Sequence, residues 1–111
     1  MKSGARVLVA CEFKSYRQAI AAAFRMLRSD VEVFEVEEEH LNREVIRLGP
    51  DLVVCSRLTR WVEVYAPSWV ELYPRRGSRS VVSLHGRRSI VEEIQLSDLL
   101  HVVDGTNGSA G

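Results

Sequence analysis

No run of apolar residues in this 111-residue chain approaches the ~20 that a membrane-spanning helix needs. Nothing in "MKSGARVLVA" reads as a secretion signal, because its apolar segment soon gives way to polar residues. A cytoplasmic protein without a membrane partner is therefore expected. Cysteine is scarce. Cys11 and Cys55 are the only two, and no CxxC or HxxxH spacing accompanies them. Neither a metal site nor a disulfide framework is expected, and in a reducing compartment both thiols stay free. Net charge is missing as well: fifteen acidic and fifteen basic residues cancel, which removes any argument from the total for nucleic acid or membrane. With 46% hydrophobic and 27% charged residues, the composition is that of a folded chain rather than a disordered one. The length is that of one domain, large enough to bury a core without staples.

The charges that cancel in sum are unevenly spread. Seven acids and one base stand between Asp30 and Glu44, whereas seven arginines and two acids stand between Arg57 and Arg88. An electrically polar molecule is expected, and two solvated faces are the plainer account of it.

What is present is a regular succession of short segments. "RVLVAC" (6–11) is a continuous apolar run, the pattern of a strand covered on both faces. After "EFKS", Ser15 and Gln18 have the spacing of a capping box, and a helix follows with Tyr16, Ile20, Ala23, Phe24 and Leu27 on one stripe. On that reading Arg17, Arg25 and Arg28 fall largely outside the stripe. "DVEVFEVE" (30–37) alternates strictly, as an edge strand does. Leu41, Val45 and Leu48 recur at helical spacing, then Gly49 and Pro50 end the helix. "DLVVCS" (51–56) is a third strand. Strand–helix–strand–helix–strand with short links calls for a parallel sheet with right-handed crossovers.

The rhythm breaks after residue 56. "SWVELY" (68–73), "SVVSLH" (80–85) and "SIVEEI" (89–94) read as an antiparallel meander joined by glycine-bearing turns. A last helix is expected from Ser97, with Leu99, Leu100 and Val103 inward and Gly105 as terminator. The sequence therefore predicts a single α/β sandwich over residues 1–105 and a flexible tail over 106–111. The parallel half would be extended by antiparallel strands and a final helix. Residues 57–67 show some strand-like alternation but no pattern that decides between a strand, a turn of helix and neither.

The first half resembles the receiver domains of response regulators, which are flavodoxin-like, and the resemblance implies the order 2-1-3 for the parallel half. In that family an acidic pair ending the first strand holds magnesium, and the third strand ends on an aspartate that accepts a phosphoryl group. "VLVACE" puts Cys11 and Glu12 at the acidic pair, and Pro50, Asp51 and Ser56 match the third strand's ends. A hydroxyl at Ser56 cannot form an acyl phosphate. Asp51, at ~3.3 Å per residue, stands roughly 16 Å away at the strand's other end. The only lysines, Lys2 and Lys14, are both near the N-terminus, leaving none for the family's last strand. The resemblance thus implies a receiver-like frame without phosphoacceptor or metal site.

Four groups of residues are candidates for chemistry or contact. Glu12, Ser15, Ser56, Arg57 and Arg60 would gather at the sheet's carboxyl edge, where open α/β sheets bind ligands, with the first helix's N-terminus favouring an anion. Cys55 with His40, His85 or His101 would make a nucleophilic pair, but no local signature supports one. Two small buried hydrophobes are the plainer account of the cysteines. Arg75, Arg76, Arg79, Arg87 and Arg88, near Trp69 and Tyr73, would suit single-stranded nucleic acid or simply protect a sheet edge. Trp61, Tyr65 and Trp69 would form an aromatic association surface, or close the core. The expectation is a non-catalytic signalling or assembly module without cofactor, acting through protein contacts, with a homodimer as the preferred form. The alternative is a binding module for a small anionic ligand or nucleic acid through its arginine-rich face.

Overall fold

The computed structural model describes residues 4–73 and 77–107. It is an α/β protein with a mixed six-stranded sheet. Four parallel strands come first: β1 (Arg6–Ala10), β2 (Glu32–Glu35), β3 (Leu52–Cys55) and β4 (Ser68–Glu71). The antiparallel β5 (Arg79–Leu84) and β6 (Arg87–Glu92) complete the sheet. The strand order is β2-β1-β3-β4-β5-β6. The helices are α1 (Lys14–Leu27), α2 (Leu41–Leu48, entered through a 3-10 turn at Glu38–His40), α3 (Arg60–Tyr65) and α4 (Leu96–Asn107).

The valine-rich strands explain the layering. Leu8, Val9, Val53 and Val54 have no exposed surface, so both faces of the central sheet must be covered. Ile20, Ala21 and Phe24 of α1 and Leu99, Val102 and Val103 of α4 pack against Val7, Val9, Leu52 and Val54. Leu41 and Val45 of α2 and Val62 of α3 pack on the opposite face against Leu8, Ala10, Val53 and Trp69. The chain leaves β1 toward β2 and then returns past β1 to β3. This reversal puts α1 on one face and α2 and α3 on the other, as right-handed crossovers require.

The structure departs from the expected pattern at several points. Residues 60–65, undecided by their sequence pattern, form the third crossover helix, so β4 runs parallel to β3 and the parallel part has four strands. Helix α1 begins one residue before Ser15, which is exposed; Phe13 holds the N-cap without a side-chain bond. Its inner stripe is Arg17, Ile20, Ala21 and Phe24, while Tyr16 and Leu27 are largely exposed. Arg17 is inward because its guanidinium reaches the Cys11 carbonyl at 3.2 Å, a partner that hydropathy does not register. Helix α4 continues through Gly105 to Asn107, and Thr106, expected in a tail, is buried. Gly105 serves a close approach instead, since a Cβ there would meet Leu84 Cδ2 at 2.7 Å. No helix among the described residues is long and apolar enough to cross a membrane.

Gly49 ends α2 in the left-handed region (φ 58°, ψ 54°) and donates its N–H to Val45. A Cβ at this position would touch nothing within 4 Å, so the cost of adding one is conformational only. Gly49→Ala is expected to lower stability by about 1–2 kcal/mol, read as a reduced denaturant midpoint with unchanged slope. An unchanged midpoint would contradict the assigned cap.

Candidate functional site

The loops leaving β1 and β3 diverge at their carboxyl ends, and open α/β sheets place their crevice at such a reversal. A cleft of about 660 Å³ lies there, lined by Glu12, Lys14, Arg17, Glu37, Glu38, Glu39, Asn42, Arg57 and Thr59. Of the residues expected at this edge, Glu12 and Arg57 reach the cleft. Ser56 works behind it: its Oγ accepts the Glu12 N–H at 2.8 Å, tying the two exit loops together. Ser15 and Arg60 do not line the cleft. Ser15 is carried outward on the first turn of α1, and Arg60 is exposed at the start of α3. That start is capped by Thr59, whose Oγ1 accepts from the Val62 N–H and donates to Asn42 Oδ1 at 2.7 Å.

The sequence reading missed the acids that follow β2. Glu37, Glu38 and Glu39 join Glu12 to give the cleft four carboxylates against Lys14, Arg17 and Arg57. Glu38 Oε2 is buried without a hydrogen-bond partner among the described residues. Donor atoms of Glu37, Glu39 and His40 lie within 4.8 Å of one another, on exposed or half-exposed side chains. The available signal was the "EVEEEH" run itself, but only the fold brings it opposite Glu12. Asp51 lies at the other end of β3. There it accepts the Arg6 N–H at 2.8 Å and returns its own N–H to the Arg6 carbonyl, a strand-end clasp.

The two thiols are neighbours along the edge yet face apart. Cys11 packs in the α1/α4 core and Cys55 in the α2/α3 core. Because side chains of adjacent strand positions alternate, no shared metal and no disulfide joins them. Burial pushes Cys11 up to about 12, only partly opposed by Arg17, with Glu38 adding to the rise. Burial also raises Cys55, helped by the Glu71 carboxylate. Neither is an activated nucleophile.

Two of the three described arginines of the hairpin segment are paired. Arg79 meets Glu92 at 2.8 Å and Arg88 meets Glu63 at 2.8 Å; Arg87 is exposed, and Arg75 and Arg76 lie outside the described residues. The aromatic trio splits. Trp69 is 3% exposed, a core residue of β4 with the Arg88 guanidinium 5.2 Å above its ring, so it is not part of a surface. Trp61 and Tyr65 are each 46% exposed and stack at 5.9 Å along α3.

No protein-family model, curated protein or solved structure matches the chain.

Burial hides both thiols and holds them in the protonated form, whereas a disulfide reagent needs an accessible thiolate. Both cysteines are therefore expected to resist a water-soluble disulfide reagent in the native protein and to react fully once unfolded in guanidinium. Rapid native labelling of either would contradict their placement.

Proposed function

We propose that this domain is a non-catalytic signalling or assembly module, a receiver-like frame without phosphoacceptor or metal site, that works by contact with a second copy of itself. The β2-β1-β3 half is the part of that frame the reading takes from the receiver resemblance. The observation that carries the proposal is the Ser56 hydroxyl. It stands where such a frame would hold its acceptor carboxylate, and it is engaged as a structural hydrogen-bond acceptor for the Glu12 backbone. Both thiols nearby are buried with raised pKa values, which supports reading them as core residues and not as nucleophiles. Surface remains for contact: Trp61, Val64 and Tyr65 on α3 and Ile90 on β6 are large apolar side chains left in water. Such groups gain most from being covered.

A binding module for a small anionic ligand or nucleic acid has less support. In the cleft that would take the anion, four carboxylates outnumber the three cations Lys14, Arg17 and Arg57. Arg79 and Arg88 already hold carboxylate partners. Both features oppose polyanion binding.

Sedimentation equilibrium across a dilution series tests the assembly reading. The average mass is expected to rise toward twice that of the chain as concentration increases. A strict monomer at the highest concentration reached would overturn it.

A further inference from the structure

Strand β6 is the last of the sheet and pairs only with β5 among the described residues. Which of its backbone groups face the open side follows from the hairpin. His85 and Gly86 both have positive φ, 51° and 88°, as in a two-residue primed turn, so the flanking Leu84 and Arg87 exchange hydrogen bonds. Alternation then turns Arg87, Ser89 and Val91 toward β5. The Glu93 N–H bonded to the Ser78 carbonyl at 2.7 Å keeps the same parity. Arg88, Ile90 and Glu92 are left with N–H and C=O aimed outward. Such an edge is a template for another strand.

The side chains of those same three residues select the strand. Two arginines open β6 and Glu92 closes it, with Ile90, 61% exposed, midway between Arg88 and Glu92. An antiparallel copy related by a two-fold axis through Ile90 sets Ile90 against its own counterpart and Arg88 against Glu92 at both ends. Every outward backbone group of the three residues is then satisfied. Centring on Arg88 or Glu92 opposes like charges, and centring on Ser89 sets Arg88 against Ile90 and leaves Glu92 without its match. Within one chain Arg88 already holds Glu63, and Glu92 holds Arg79. The Ile90-centred seam therefore joins Glu63, Arg88, then Glu92 and Arg79 of the second copy, in alternating sign. On the opposite face of β6 a groove of about 540 Å³ runs beside α4, with Val82, Leu84, Val91 and Val102 in its lining. In this register Val91 of the second copy comes opposite Ser89, over the groove.

We propose that β6 is the self-association strand: two copies pair antiparallel about Ile90 and fuse their sheets into one. The proposal rests on the assembly reading above and adds to it the surface and the register.

Two experiments on the full chain test it. Arg88→Glu and Glu92→Arg each oppose like charges across the seam, and each variant alone is expected to associate about tenfold more weakly or worse. Mixing the two variants restores opposite charges at both ends, so the mixture is expected to recover association near that of the unaltered chain. Recovery also shows that both variants fold. In the second experiment, residues paired across such a two-fold have Cα atoms about 5.5 Å apart, within disulfide reach. Ile90→Cys is expected to give a covalent dimer on mild oxidation, and Trp61→Cys is not. Failure of the mixture to exceed either variant, or crosslinking through position 61 and not 90, would overturn the β6 seam while leaving assembly in place. An unaltered chain that stays monomeric at all concentrations would remove both.

Discussion

The structure depends on two strands that are closed off from water from Val7 to Ala10 in β1 and from Leu52 to Cys55 in β3. β1 and β3 lie side by side at the centre of the sheet, and every residue from Leu52 to Cys55 is buried. A parallel pair of this kind must be covered on both faces, and the chain does so by reversing direction after β2. From that one constraint follow the two helical layers, the divergence of the loops after β1 and β3, and the cleft between them. The Ser56–Glu12 hydrogen bond stands where those loops part. It ties the exit loops of β1 and β3 together.

With the interior closed, the molecule's distinctive features lie at its periphery. The two edges of the sheet differ. β2 is short and acidic, its Glu32 and Glu35 paired with Arg6 and Arg25. β6 carries opposite charges at its two ends and an exposed isoleucine between them. Exposed ion pairs contribute little stability, about 0–1 kcal/mol each, so those charges add little to the fold. The acid-rich and arginine-rich segments of the sequence do not remain two separate poles: Arg57 joins Glu37, Glu38 and Glu39 at the cleft.

The α/β class and the mixed sheet were legible in sequence because valine runs, Gly49 and Pro50 mark local states strongly. What escaped depended on distant partners. Helix α3 is six residues long with one fully buried side chain, Val62, and its alternating, β-branched sequence imitates a strand. The two tryptophans were read together, although Trp69 lies in β4 and Trp61 on the helix before it. Arg17 is buried because of the Cys11 carbonyl, and Gly105 sits in a helix because Leu84 comes close. At the candidate site Glu12 and Arg57 were foreseen. Glu37 to Glu39 were not, since only the order of strands brings the end of β2 beside the end of β1.

The central claim is that this domain acts through its surfaces and not through covalent chemistry at the strand tips. Intact-mass measurement of the native protein after incubation with acetyl phosphate and magnesium tests it most directly. The account predicts an unchanged mass. A labile phosphoryl adduct mapped to a carboxylate of the cleft, Glu12 or Glu38, would contradict it.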